Sequence, residues 1–205
     1  MALTIRPADI IKARVIDFLI EKFDGVVVGD EVMYGTSHKV VDLVALFGGE
    51  TYAIEIKSAK DDLRRLPEQI AEYSKIFDHT MVFTTIDHLN KIRKLSKAKV
   101  SIFKFGVDDT IEGSMLDKKN NVQKNEMLAT MNASYIRKRL NISKYKDSDE
   151  IRKKAMRYKK DEIHSLLYGY LMEKCAVPYK LFLEERSDRT EVDDLIILSN
   201  RLNVE

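Results

Sequence analysis

The chain is 205 residues long, 44% hydrophobic and 33% charged, which suits a soluble globular protein with one core, or with a core and a small appended module. No apolar run approaches the ~20 residues needed to cross a bilayer, and the N-terminus lacks a signal-peptide pattern, so a cytoplasmic protein without a membrane partner is expected. Cys175 is the single cysteine, which excludes an internal disulfide framework and leaves it as a small core residue.

The net charge of +2 conceals an uneven distribution. Residues 118–160 hold 14 Lys or Arg against 4 Asp or Glu, while residues 161–205 hold 5 against 10. A basic surface of that kind suits a polyanion, although charge runs also serve as solvated helix faces.

In chain order, residues 7–23 predict an amphipathic helix with Ile11, Val15, Phe18, Leu19 and Phe23 on one face and Gly25 beyond its end. Residues 26–34 read as a strand carrying Glu31, and Gly35 to His38 as the turn into the strand of Asp42. Gly48-Gly49, between two runs rich in Val, Ile, Leu and Tyr, predicts an antiparallel hairpin with a tight two-residue turn. Ser58 and Asp61 have capping-box spacing, and Leu66-Pro67 begins a helix with Pro at its first position. Residues 80–85 read as a strand, 86–96 as a helix and 100–105 as a strand. Polar residues 107–123 end in a linker. Residues 126–140 and 151–174 each predict one helix, and Thr190 with Asp193 caps a last helix through residue 202.

Within the hairpin, a turn closed by Phe47 and Glu50 makes opposed residue numbers sum to 97, which places Asp42 across from Glu55. Two carboxylates at that spacing repel, and Asp42 stands among Val40, Val41, Leu43, Val44 and Leu46, so a positive group between them is expected. Lys57 shares the face of Glu55, while Tyr52, Ile54 and Ile56 turn to the other. On the helix begun at Leu66, Gln69 and Tyr73 lie four apart on one face. The four histidines form no zinc pattern, and no phosphate-cradling loop occurs.

The D-x12-E-x-K set followed by Q-x-x-x-Y resembles the PD-(D/E)XK nuclease superfamily in its RecB-like branch, with Val41 where that superfamily has its proline. Residues 31–79 also look like a small bacterial and phage family of nuclease-like proteins. The resemblance implies an α/β fold, a restriction-endonuclease-like mixed sheet flanked by helices, with a nuclease-like core at 1–117; charge and periodicity add a basic, mainly helical C-terminal region at 118–205. It implies Mg²⁺ or Mn²⁺ held by Asp42 and Glu55, with Glu31 and the Ile56 carbonyl as further ligands. Lys57 would orient the attacking water or steady developing charge, and Gln69 and Tyr73 would support the site.

The expectation is therefore a Mg-dependent deoxyribonuclease of repair, recombination, mobile-element or defence, acting on DNA, with RNA as the alternative polyanion. Arg64, Arg65, Arg137, Lys138, Arg139, Lys153 and Lys154 are its candidate phosphate contacts. Two other readings stand beside it: a non-catalytic nucleic-acid-binding adaptor that keeps the fold, and a subunit of a larger mobile-element or defence complex active only with a partner; a homodimer or a partner protein is the expected protein contact.

Overall fold

The structure, a computed structural model, describes residues 6–96, 100–106 and 108–199. The extreme N-terminus and residues 200–202 of the last expected helix lie outside them. Helix α1 (Pro7–Lys22) precedes strands β1 (Val27–Tyr34), β2 (Lys39–Phe47) and β3 (Glu50–Lys57). Helix α2 (Leu66–Tyr73), β4 (His79–Thr85), α3 (Ile86–Ser96), β5 (Ser101–Phe105) and β6 (Ile111–Gly113) follow. The C-terminal part is helical: α4 (Lys124–Thr130), α5 (Ala133–Arg139), α6 (Ser148–Ala155), α7 (Lys160–Glu185), a 3₁₀ turn (Val192–Asp194) and α8 (Leu195–Leu198).

The six strands form one sheet in chain order. β1, β2 and β3 pair antiparallel, β3, β4 and β5 parallel, and β6 closes the far edge antiparallel. The two parallel steps are the ones that need crossovers, which α2 and α3 supply. Gly48 and Gly49 have φ of 60° and 79°, the pair of positive values that a two-residue turn between twisted strands demands. The mixed α/β sheet flanked by helices, with a helical C-terminal part, is the expected fold class.

Apolar residues of α1, α8 and the end of α7 cover one face of the sheet, around Leu43, Ile54 and Phe83. On the other face Tyr73 of α2 joins residues of α4 to α7 over Val41, Val44 and Ala53, and α2 and α3 cover Val82. Helix α7 serves both faces: Ile163, Leu167, Leu171 and Cys175 belong to the second cluster, Tyr179 and Phe182 to the first. It thus crosses the β1 edge, where a Cβ on Gly29 would collide with Cys175 Sγ, and it shields an edge strand that would otherwise be open to pairing. Burial pushes the Cys175 thiol up to about 12, which keeps it an apolar packing group.

Several local expectations are corrected. Residues 126–140 form two helices broken at Met131-Asn132, and 151–174 is broken between Ala155 and Lys160. The apolar spacing continues through both breaks, so periodicity alone could not reveal them. Residues 118–123 are tied down rather than loose: Asn120 donates to Asp78 O at 2.7 Å and Gln123 to Lys75 O at 2.6 Å. Ser58 and Asp61 bond as a capping box does, with Ser58 N to Asp61 Oδ2 at 2.6 Å, but a turn follows instead of a helix. Thr190 turns its hydroxyl to Asp17 at 2.5 Å, and Glu191 takes the capping place, donating its N–H to Asp194 at 2.8 Å.

Candidate active site

The site is built where the pleat of two strands is reset. Val28 and Ala45 point to the α1 face, whereas Val32 and its partner Val41 point to the opposite face. Alternation along a strand would put Val28 and Val32 together. Both strands therefore invert between Asp30↔Leu43 and Val32↔Val41, at the rung of Glu31 and Asp42. Glu31 absorbs the kink with φ of 51°, a left-handed conformation that costs a side-chain-bearing residue energy. Opposed numbers in the next ladder sum to 97 as expected, from Phe47↔Glu50 to Leu43↔Ile54. Glu31, Asp42 and Glu55 consequently occupy one row across three strands, and all three line a cleft of about 760 Å³.

Glu55 is only 1% exposed, and three side chains hold it. Lys57 Nζ donates to its Oε1 at 2.6 Å, Gln69 Nε2 to the same oxygen at 2.6 Å, and the Tyr73 hydroxyl to Oε2. The E-x-K spacing explains the first contact, and the four-residue spacing on α2 brings the other two from one helix face. Burial and the charge of Glu55 raise the Tyr73 phenol far above its ordinary range, so the hydroxyl stays a donor. Tyr34 packs on Tyr73 at 5.1 Å and donates to Glu72 at 3.0 Å. Lys39 also pairs with Glu72, at 3.0 Å.

Asp42 Oδ2 accepts the Ile56 N–H at 2.8 Å. Burial pushes its carboxyl up to about 7, and the neighbouring Glu55 adds to the rise, against the pull of the Ile56 N–H, Lys12 and Lys57. No single cation bridges the two acids as expected: Lys57 bonds Glu55, and Lys12 bonds Asp30. Lys12, only 7% exposed, bonds Asp30 at 2.6 Å in the cleft wall. Sequence reasoning missed this pair, yet it left a signal: Lys12 lies four and seven residues before Ile16 and Leu19 on the buried stripe of α1.

The cleft brings together Asp42, Glu55, Lys57, Gln69, Glu31 and Ile56, with Arg64 and Arg65 at its lining. Arg64 is paired with Asp62, and Arg6 contributes a further cation that was not anticipated. Arg137, Lys138, Arg139, Lys153 and Lys154 stand elsewhere, on α5 and α6. Arg139 pairs with Glu173 of α7 and lies over the Tyr135 ring.

The oxygen-rich row is of the donor type that suits a hard divalent cation. Gln69 Oε1, buried without a hydrogen-bond partner, gives the wall an acceptor that a bound ligand could complete. Among the described residues, however, no group of three or more His, Cys, Asp and Glu stands ready-made as a metal site, and Lys57, Gln69 and Tyr73 already engage both Glu55 oxygens. A cation would fit by displacing Lys57 from Glu55.

Among solved structures, the chain is similar to the one titled "The structure of Pyrococcus Furiosus SfsA in complex with Ca2+", at 11% identity and a TM-score of 0.31. That likeness covers 53% of this chain and 60% of that one. No curated protein matches the chain. No helix among the described residues is long and apolar enough to cross a membrane. The profile of the family described as Bacteriophage P4 protein cII matches residues 1–199, and the chain belongs to that phage protein family.

Proposed function

We propose that this protein is a metal-dependent nuclease that hydrolyses DNA phosphodiester bonds. The observation that carries the reading is the clamped Glu55: an acid buried beside Asp42 and held by Lys57, Gln69 and Tyr73 in a cleft lined by arginines. Holding two repelling carboxylates in a buried strand costs stability, which a binding or catalytic use accounts for. A divalent cation on these oxygens would supply Lewis acidity and charge compensation at a phosphate. The chain's own groups do the rest. Gln69 and Tyr73 fix the orientation of Glu55, Lys57 meets the charge that grows on the phosphate, and Arg6, Arg64 and Arg65 neutralise flanking phosphates.

A second reading, a non-catalytic nucleic-acid-binding protein on the same fold, has its own support. Both Glu55 oxygens already have donors, as they would in a purely structural network. Calorimetric titration with Mn²⁺ and Mg²⁺ separates the two, run beside cleavage of a labelled DNA duplex. Saturable binding and cleavage, both lost in Asp42→Asn, support the nuclease. A chain that binds neither cation and cuts nothing is the non-catalytic one.

A further inference from the structure

A second cavity, of about 510 Å³, lies between the end of α5, the segment leading to α6, and the start of α7, and it shares no lining residue with the acid cleft. Its apolar part is Leu140, Ile142 and the rings of Tyr145 and Tyr158. Lys154, Arg157 and Lys159 supply its cations, against Glu162 as the acid in the lining. Glu162 is committed locally, accepting the Lys159 N–H at the start of α7 at 2.7 Å.

The platform is held in place. Asn141, at φ of 52°, reverses the chain at the end of α5, and Ile142 donates back to Arg137 O at 3.0 Å, as a left-handed helix cap does. The Tyr158 hydroxyl donates to Leu140 O at 3.1 Å, and its carbonyl accepts from Lys124 Nζ at 2.9 Å. Lys154 Nζ stands over the Tyr145 ring, 5.0 Å from its centre, so a cation already covers one face of that ring. The cavity opens within the segment whose charge balance is +10.

We infer that this cavity is a binding site for single-stranded nucleic acid, taking an unstacked base against Tyr145 and Tyr158 and the adjoining phosphates on Lys154, Arg157 and Lys159. Half-buried rings at an open hollow favour a single strand, because duplex bases are stacked inside and present only edges and phosphates. The apolar floor argues for a base rather than an isolated phosphate. The inference stands apart from the acid row and needs no metal there.

The test is fluorescence anisotropy of the full chain with a labelled oligothymidylate of about a dozen nucleotides in EDTA, a length within the range such sites cover. Tyr145→Leu should weaken binding roughly tenfold or more, as loss of a stacking partner does, and Tyr145→Phe should keep it. Replacing Lys154 and Arg157 with Gln should reduce the salt slope by roughly 1.4, the value for two phosphate contacts on a single strand. Because EDTA removes divalent cations, these results hold even if the chain cuts nothing. Absence of oligothymidylate binding overturns the inference. So does unchanged affinity in a Tyr145→Leu chain that circular dichroism shows to be folded, and so does tighter binding of a duplex that is indifferent to Tyr145.

Discussion

Asp42 accepts the Ile56 N–H with its side chain at 2.8 Å, one rung beyond the point where the main-chain ladder between β2 and β3 ends at Leu43↔Ile54. The carboxylate takes over pairing that β2, turning away at its inversion, no longer offers. One residue thereby has two roles, closing a buried donor and presenting an acid to the cleft.

Those roles separate by substitution. Asp42→Ala strands the Ile56 N–H, which costs about 1–3 kcal/mol for a buried donor. Asp42→Asn keeps an acceptor and removes the charge facing Glu55, so without metal it should be at least as stable as the parent and about 1–3 kcal/mol more stable than Asp42→Ala. Urea denaturation in EDTA at pH 8 reads the difference. Equal stability of the two variants would show that the carboxylate does not carry this hydrogen bond.

Tyr73→Phe removes one donor from Glu55 without changing the ring that packs on Tyr34 and Phe77. A buried acid that loses a partner should lower the unfolding free energy by about 1–3 kcal/mol. The slope of the denaturation curve should stay the same, since the exposed surface does not change. A midpoint within error of the parent would mean the Tyr73 hydroxyl contributes no net stability to Glu55.

If the chain cuts DNA, Lys57 separates chemistry from binding. Lys57→Ala should slow single-turnover cleavage by ~10²-fold or more, as removal of an electrostatic stabiliser does. DNA affinity should change little. A loss confined to affinity would reduce Lys57 to a phosphate contact.

A fourth expectation concerns pH and the anchoring of α7. His164 bonds Asp78 at 2.7 Å, and that hydrogen bond raises the imidazole above its ordinary 6.5, against the opposing effect of burial. Burial resists the charge on Asp78, but His164 and the Thr51 N–H and hydroxyl outweigh it and hold the carboxyl below its ordinary 3.8. A raised imidazole stabilises fully below its unfolded value, and the contribution fades as pH rises through the folded one. A depressed carboxyl stabilises above its unfolded value and loses that contribution as pH falls through the folded one. The pair is therefore strongest from about pH 4 to 6.5. His164→Gln should cost about 1–2 kcal/mol at pH 5.5, with half-exposure discounted, and less at pH 8.5. A pH-independent loss would mean that packing, not charge, is what His164 provides.

The sequence by itself determined what depends on near neighbours. Two adjacent glycines set a hairpin turn, and the turn sets the register that aims Asp42 at Glu55. The pleat period puts Lys57 beside Glu55, and the helix period aligns Gln69 with Tyr73. Each of these follows from a repeat length and a short stretch of backbone. Helix breaks at Met131-Asn132 and after Ala155 escaped that logic because the apolar spacing runs on across them.

Only the tertiary structure decided the rest. The inversion at Glu31 and Asp42 requires β1 and β2 to kink on the same rung, which neither strand announces alone. Lys12, flanked by Ile11 and Ala13, and Asp30, beside Glu31, become intelligible when α1 packs on the sheet and the two charges offset each other's burial. The basic segment, which charge counting directed at the acids, shares the Tyr73 face of the sheet with Glu55, yet none of its cations lines the cleft, because α4, α5 and α6 pack on one another and on α7 beside β1. Charge is a sum over sequence, but where it stands depends on which surfaces burial leaves exposed.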